Sequence, residues 1–178
     1  SVNRYVLLSK LGEVIDGVLE AHSKKQFDKA LSAKKVTIKA FDAYPKTIIL
    51  GQEMPQKFNK NYYGKVDKLN KEELNFVERI DLDTLPNIDF WVRNREKVDP
   101  FYLIGWKKNK FYPDFIAHTK KANIIALEWK GGDRVSNEDT EYKVEIGNKW
   151  AELGRGKLYF FLVHNGKFEV VLNVLKAV

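Results

Sequence analysis

Three charged side chains interrupt two neighbouring apolar segments, YPDFIAHT at 112–119 and NIIALEWK at 123–130. The first segment contains Asp114, and the second contains Glu128 and Lys130. If the chain turns at Lys121, antiparallel pairing places Asp114 directly opposite Glu128, with Cβ atoms about 5 Å apart. Lys130 points to the same face as Glu128, because side chains alternate along a strand. Two carboxylates this close need a neutralising partner.

A divalent cation and a salt bridge are two ways to neutralise this pair. Mg²⁺ prefers oxygen ligands and keeps several water molecules, so two carboxylates and a backbone carbonyl are enough to bind it. Beside a phosphate, such an ion polarises the phosphoryl oxygen and acidifies water, and a nearby lysine can stabilise the attacking hydroxide. In the second interpretation, Asp114 and Glu128 are exposed edge residues and Lys130 is their salt-bridge partner.

Apolar spacing predicts the elements that position these side chains. Apolar residues recur every three or four positions in the predicted helices, which are 4–22, 23–31 with Ser23 as its cap, a segment after the N-cap Asn70, and 138–153. The predicted strands are 36–39, 47–50, 88–94, 101–106, 112–119 and 123–130. A closing hairpin is predicted at 157–172, because Asn165-Gly166 favours a type I′ turn. This order indicates an α/β fold with a mixed sheet flanked by helices.

Length, composition and charge limit the class of protein. The 178 residues are enough for one sizeable domain, and the lack of cysteine excludes disulfides and thiolate metal sites. No segment reads as a membrane span or a signal peptide, so we expect a cytoplasmic protein without a membrane partner. Residues 1–71 carry 14 Lys or Arg against 7 Asp or Glu, whereas the remainder is balanced. This indicates either an anionic partner such as nucleic acid or a solubilising helical surface.

Five short motifs follow one another between residues 69 and 165. They are ELNF from Glu73, WVRN from Trp91, FYPDF around Asp114, EWKG from Glu128, and Thr140 with Lys143, Lys149 and Trp150. The Pro113-Asp114 and Glu128-Trp129-Lys130 pair resembles the PD-(D/E)XK nuclease motif. The whole order resembles the C-terminal endonuclease domain of type III restriction enzymes and related helicase-linked nucleases. The resemblance implies a restriction-endonuclease-like fold for this part of the chain. Residues 51–68 have no apolar periodicity and are interpreted as a linking loop, so we place the endonuclease-like domain at 66–178 and a basic, mainly helical region at 1–65.

The resemblance also implies a catalytic role for particular residues. Asp114, Glu128 and the backbone carbonyl of Trp129 would bind Mg²⁺, for which Mn²⁺ could substitute. Lys130 would position or activate the water nucleophile. Glu73 would contribute a further catalytic carboxylate from the preceding helix. A simpler reading makes Glu73 an acid at a helix N-terminus, where the helix dipole favours it.

Substrate contacts are predicted for a second set of residues, namely Lys143, Arg93, Asn94, Lys120 and Lys121. Lys143 matches a lysine that the family places near the site, but it is also spaced as an i,i+4 partner of Asp139. Trp150 is interpreted as part of the core. His22, His118 and His164 lack metal-ligand spacing and are interpreted as structural or surface residues. No cofactor beyond the metal ion is expected.

The resulting hypothesis is an Mg²⁺-dependent endonuclease domain that hydrolyses phosphodiester bonds in DNA. The sequence contains no GxxxxGK[ST] motif, so an ATP-dependent motor would belong to a separate upstream helicase region. A modification subunit is the other expected protein partner. Two alternatives are a non-catalytic nucleic-acid-binding or assembly module on the same fold, and a nuclease directed at RNA.

Overall fold

A four-stranded mixed sheet with helices on both faces organises the chain. The computed structural model describes residues 4–40, 43–79, 82–131, 138–164 and 168–178. These residues form four helices and six strands, in the order α1 (Arg4–Ser32), β1 (Lys39–Ala40), α2 (Lys71–Arg79), β2 (Ile88–Arg93), β3 (Tyr102–Leu103), β4 (Phe115–Thr119), β5 (Ile124–Trp129), α3 (Glu138–Leu153), β6 (Leu158–Val163) and α4 (Phe168–Ala177). The predicted α/β class with a flanked mixed sheet is confirmed.

The main sheet has the spatial order β2-β4-β5-β6. The pairs β2–β4 and β4–β5 are antiparallel, and β5 and β6 are parallel neighbours. Parallel strands need a crossover connection, and α3 lies in that connection, between β5 and β6. The short strands β1 and β3 pair with each other in a separate antiparallel ladder.

The β4–β5 hairpin has the register that the sequence predicts. Phe115 pairs with Leu127, so each residue of β4 and its partner on β5 lie equally far from Lys121. The turn is closed by the amide of Thr119, which donates to the carbonyl of Asn123 at 3.0 Å. The position of the turn therefore fixes which residues of the two strands face each other.

Successive residues of this hairpin face two different cores. One face packs on α2 and α4, and the core between them includes Phe76, Phe115, Leu127, Phe168, Val171 and Leu175. The opposite face packs on α3 and the end of α1, and the core between them includes Phe27, Ile116, Ala126, Tyr142, Ile146 and Trp150. Trp150 is thus a core residue, as predicted. Helices on both faces leave polar side chains of the hairpin room only near the ends of the strands.

Three predicted elements of the N-terminal part are wrong, wholly or in part. α1 runs without interruption through Ser23, because the residues after it, KKQF, favour a helix and Phe27 packs against Trp106. The predicted strand at 47–50 is irregular, and only Lys39 of the predicted strand at 36–39 lies in a strand, the two-residue β1. Short apolar segments do not by themselves specify a strand, since a strand also needs a pairing edge.

The predicted C-terminal hairpin is also wrong in its second half. Residues 157–163 do lead into a strand, β6, but Phe168–Ala177 forms the helix α4. Phe168, Val171 and Leu175 are spaced for one helical face, and all three are buried on the sheet. The predicted turn at Asn165-Gly166 lies outside the described residues.

The segment before residue 66 packs closely on the rest of the chain. The amide of Trp91 donates to the carbonyl of Lys60, and the amide of Tyr62 donates to the carbonyl of Trp91, both at 2.9 Å. Phe58 shares a core with Trp91, so the predicted boundary near residue 66 falls between segments in contact. The division into two domains stays a prediction. Of the helices that the structure describes, none has the length and apolarity to cross a membrane.

Candidate active site

The charged residues of the hairpin meet where β4 begins and β5 ends. Asp114 precedes β4 by one residue, so extending the ladder by one pair places it opposite Glu128. A carboxylate oxygen of Asp114, Oδ2, accepts a hydrogen bond of 2.8 Å from the amide of Trp129. The backbone of Asp114 is held from the other side, because its carbonyl accepts from the amide of Asn94 at 2.8 Å. Asp114 is therefore hydrogen-bonded to both neighbouring strands, β2 and β5, at one end of the sheet's central strands.

Glu128 is a buried carboxylate with two lysines beside one of its oxygens. Only 3% of the residue is exposed. Its Oε1 lies 3.0 Å from Nζ of Lys143 and 3.8 Å from Nζ of Lys130. Its Oε2 is buried and has no hydrogen-bond partner among the described residues. Burial, and next the charge of Asp114, raise the pKa of Glu128 to about 8, although the lysines oppose this.

The pKa of Asp114 is raised as well. Burial raises the pKa of this carboxyl, and the nearby charge of Glu73 raises it further. The hydrogen bond from the Trp129 amide works in the opposite direction, as does the positive charge of Arg93. The result is a pair of carboxyl groups that hold protons more strongly than ordinary Asp and Glu residues do. Such pairs favour binding a cation, which would replace those protons.

Glu73 is fixed by the start of α2. Its backbone amide donates to Oδ1 of Asn70 at 2.9 Å, and its Oε2 accepts from the amide of Asn70 at 2.8 Å. This reciprocal arrangement is a capping box, and it confirms Asn70 as the predicted N-cap. The other carboxylate oxygen of Glu73 forms an ion pair with Arg93. Both the site role and the helix-terminal role considered for Glu73 are thus compatible with its position.

Substitutions of Glu73 will separate its two contacts. Glu73→Ala removes the acceptor for the Asn70 amide and leaves Arg93 without its carboxylate, so we expect a loss of about 2–3 kcal/mol in unfolding free energy. Glu73→Gln keeps an acceptor for the capping box and should lose only about half as much. Urea denaturation measures both values. The neighbouring Glu72→Ala is the matched control, and equal losses for Glu73→Ala and Glu73→Gln would contradict the role of the capping box.

Lys143 combines the two roles that the sequence suggested for it. Its Nζ lies 3.0 Å from Oε1 of Glu128 and 3.2 Å from Oδ2 of Asp139, the residue one helical turn earlier. Burial works against its charge, but the two carboxylates outweigh this effect and raise the pKa of Lys143. α3 therefore places a protonated amine beside Oε1 of Glu128.

Three other predicted site residues do not present their side chains to the cluster. Asn94 adjoins Asp114 through its backbone amide, but its side-chain nitrogen donates to the carbonyls of Phe101 and Pro113, so the side chain is bound to the local backbone. Lys120 and Lys121 lie in the hairpin turn at the opposite end of β4 and β5, about 20 Å along the strands from Asp114. The structure brings together Asp114, Glu128, Lys130, Lys143, Arg93 and Glu73, and it separates the two turn lysines from them.

A basic cavity adjoins the cluster and was not evident as a cavity from the sequence. It has a volume of about 370 Å³ and includes Trp106, Lys107, Lys108, Lys110, Phe111 and Lys143 in its lining. One wall is formed by Glu20 of α1, whose carboxylate lies 3.2 Å from Nζ of Lys107. The run of lysines after Trp106 was visible in the sequence, but its position beside Lys143 depends on tertiary packing.

The cluster contains the carboxyl groups of Asp114 and Glu128 and the amines of Lys130 and Lys143. One oxygen of Glu128, Oε2, has no hydrogen-bond partner among the described residues. Within the described ranges, no group of three or more His, Cys, Asp or Glu side chains is arranged to hold a metal ion. A metal ion would therefore depend on two carboxylates with a backbone carbonyl and water, which is sufficient for Mg²⁺. No protein-family model, curated protein or solved structure matches this chain.

Proposed function

We propose that this chain is an Mg²⁺-dependent nuclease domain that hydrolyses phosphodiester bonds in DNA. The observation that carries the proposal is the proximity of Asp114 and Glu128 where β4 begins and β5 ends, with Lys130 and Lys143 at Glu128. The motif resemblance to PD-(D/E)XK nucleases supports the same assignment. A restriction-endonuclease-like fold, and a motor or modification subunit as partner, are part of the proposal.

The donor set fits a hard divalent cation. Oε2 of Glu128 is a buried carboxyl oxygen with no partner in the described part of the chain, and burial of a polar atom without a partner costs free energy. Asp114 offers a second carboxylate on the adjacent strand, and the carbonyl of Trp129 follows Glu128 directly. Mg²⁺, or Mn²⁺ in its place, would be held by these three residues. When bound, it would supply positive charge at the phosphoryl oxygens and acidify water.

The protein's own residues supply the remaining functions. Lys130 would hold the attacking water in line with the phosphorus and stabilise negative charge as the bond breaks. Lys143 would keep Oε1 of Glu128 in place through the 3.0 Å contact. Arg93 and Glu73 would fix the position of Asp114 by their ion pair at the end of β2. Each of these groups is borne by a helix, by a strand or by a residue directly beside one, which favours precise positioning.

The basic cavity offers a path for the substrate. Lys107, Lys108 and Lys110 would contact phosphates of a strand whose scissile bond lies at Glu128, and Lys143 is common to cavity and cluster. Contacts of this kind carry no sequence information and weaken as salt concentration rises. We therefore expect binding that depends on ionic strength and not on the base sequence.

One observation favours a second candidate function. Lys143 and Lys130 already provide Glu128 with positive charge, so the cluster could persist as an ion-pair network without metal. In that case the chain would be a non-catalytic module that binds nucleic acid through its lysines. Whether the substrate is DNA or RNA is a separate question, since the cluster has no feature that senses a 2′-hydroxyl group.

Nicking of supercoiled plasmid tests the proposal. The wild-type protein should convert supercoiled DNA to nicked or linear DNA with Mg²⁺ or Mn²⁺ and not with EDTA. Asp114→Asn should reduce the rate by at least about 10³-fold, because it removes a charge needed by both the cation and the transition state. Asp89→Asn, on an exposed position of β2, is the matched control and should cut like wild type.

Calorimetric titration with Mn²⁺ completes the test. Wild type should bind about one ion with an affinity that Asp114→Asn lowers strongly. Salt-dependent DNA binding without metal binding or cleavage would support the non-catalytic module instead. Cleavage of an RNA strand of the same sequence, and not of DNA, would assign the activity to RNA. Equal cleavage by wild type and Asp114→Asn would reject the assigned site.

A further inference from the structure

The first half of α1 exposes a continuous apolar stripe. Successive helical residues turn by about 100°, so the stripe occupies an arc of about 140°. Its side chains are between 49% and 65% exposed, and they are Leu7, Leu8, Leu11, Val14, Ile15, Val18 and Leu19. Such a patch is large for the surface of a monomer and is typical of an interaction site.

The opposite side of the same helix is the side that docks on the domain. Lys24 pairs with Glu145 of α3 at 2.6 Å, and Phe27 packs on Trp106. Glu20 contacts Lys107 at 3.2 Å from the same side. These docking residues lie about 180° around the helix from the stripe. Because α1 is one continuous helix, its packing on α3 turns most of the stripe away from the rest of the described chain, and Leu19 at the C-terminal end of the stripe borders the basic cavity.

Six of the seven stripe residues are placed symmetrically about Glu13, and the seventh, Val14, has Gly12 as its counterpart. Leu7, Leu8 and Leu11 precede Glu13 by the same intervals at which Ile15, Val18 and Leu19 follow it. A two-fold symmetric interface requires that if one residue contacts a second, the second also contacts the first. A palindromic stripe satisfies this condition when two identical helices run antiparallel.

We propose that two copies of this chain associate through α1 as an antiparallel helix pair centred near Glu13. Leu8 of one copy packs against Val18 of the other, and Leu11 packs against Ile15. These residues follow the alternating three- and four-residue spacing of a coiled-coil seam. The interface is separate from the candidate active site and does not depend on its chemistry.

Charge distinguishes this arrangement from a parallel pair. After Leu19, the residues on the same face of the helix as the stripe are His22, Lys25 and Lys29. A parallel, in-register pair would place Lys25 and Lys29 against their own copies in the seam, which is unfavourable. In the antiparallel pair these lysines lie beyond the stretch that is paired with the partner helix.

Charge also argues against a lipid surface as the occupant. The polar side of the first half of α1 carries Lys10 but also Glu13, Asp16 and Glu20. Helices that lie on anionic membranes are rich in Lys and Arg on this side, whereas here acidic residues predominate. A second copy of the helix has no such requirement, because the stripe itself carries no charge between Leu7 and Leu19.

The size of the stripe is adequate for a dimer. Seven aliphatic side chains that are about half exposed offer on the order of 700 Å² of apolar surface. A standard-size interface buries about 800 Å² on each partner. Dimerisation would also stabilise the projecting half of α1, because a helix of this length without packing is only marginally stable in water.

Sedimentation equilibrium of wild type and two variants tests the seam. Wild type should be a dimer at protein concentrations of about 10–100 µM. Leu11→Glu places a carboxylate in the seam and should weaken association by at least about 100-fold. Ser9→Glu adds the same charge on the other side of the helix and should leave the dimer intact. Circular dichroism checks that both variants fold, since neither side chain is packed in the monomer.

Engineered cysteines test the direction of pairing in a chain that has no cysteine of its own. Leu8→Cys mixed with Val18→Cys should give a disulfide between the two variants on oxidation, whereas each variant alone should cross-link poorly. Efficient cross-linking of Leu8→Cys to itself would overturn the antiparallel register. A wild-type protein that stays monomeric throughout the concentration range, or a dimer unaffected by Leu11→Glu, would overturn the proposal. Binding to phosphatidylserine vesicles by a monomer would assign the stripe to a membrane surface.

Discussion

Replacing Glu128 by glutamine will make the metal-free protein more stable at pH 8 and will flatten the pH dependence of its stability. The pKa of Glu128 is about 8 in the folded protein, compared with 4.5 for an ordinary glutamate. The folded state therefore retains a proton that the unfolded chain releases above about pH 4.5. This contribution to stability is complete below that pH and is lost as the pH rises to about 8. Glutamine stays neutral throughout and avoids the loss.

The expected size of this effect is on the order of 2–4 kcal/mol at pH 8, which corresponds to an increase of roughly 5–10 °C in Tm. At pH 5 the two proteins should differ little, because Glu128 is then protonated when folded. Some slope will persist in the variant, since the pKa of Asp114 is also raised. Thermal denaturation in EDTA between pH 5 and pH 8 measures the difference in stability between wild type and Glu128→Gln. Glu141→Gln, an exposed site on α3, is the control with an unchanged profile.

The same substitution should have the opposite effect once metal is present. Mn²⁺ should raise the Tm of wild type at pH 8 and should raise that of Glu128→Gln much less, because a neutral amide is a poor ligand for a hard cation. The gain in stability and the loss of metal response would identify Glu128 as a residue kept for function at the expense of stability. Parallel pH profiles for wild type and Glu128→Gln would contradict the raised pKa.

The sequence was sufficient to predict the geometry of the hairpin. Its turn and the alternation of apolar residues determine which side chains face each other, and both are local features. The capping of α2 by Asn70 was equally local, and the Asn70-to-Glu73 spacing would have allowed prediction of the reciprocal capping box. These are the elements for which the order of residues alone selects one structure.

Features that depend on tertiary contacts could not be predicted in the same way. The helix α4 stands where a strand was predicted: the helical spacing of Phe168, Val171 and Leu175 was present in the sequence, and packing beside Phe76 in the assembled core favours the helix over the strand. Lys120 and Lys121 were grouped with the site by charge, but the length of the hairpin carries them to its far end. The pairing of Arg93 with Glu73 joins two elements 20 residues apart, and no local pattern indicates it.

Removing the two lysines at Glu128 will have different effects on cleavage. Lys130→Met should reduce the cleavage rate at saturating Mg²⁺ by about 10²–10³-fold, because it removes a charge that acts on the developing transition state. Its effect on Mn²⁺ affinity should be small, since the 3.8 Å contact with Oε1 of Glu128 is the longer of the two. Single-turnover cleavage and calorimetry together separate the two quantities.

Lys143→Met should act mainly through the pKa of Glu128. Lys143 lowers that pKa through its charge and its hydrogen bond, so its loss will raise the pKa above about 8. Protons will then compete more strongly with the cation at pH 7, and Mn²⁺ affinity should fall about tenfold there and recover toward pH 9. Lys157→Met, near the hairpin turn, is the control and should keep wild-type rates. If Lys130→Met and Lys143→Met gave the same pH profile, Lys130 would be one more ion-pair partner of Glu128, and the proposed catalysis would lose the group that distinguishes it from simple charge neutralisation.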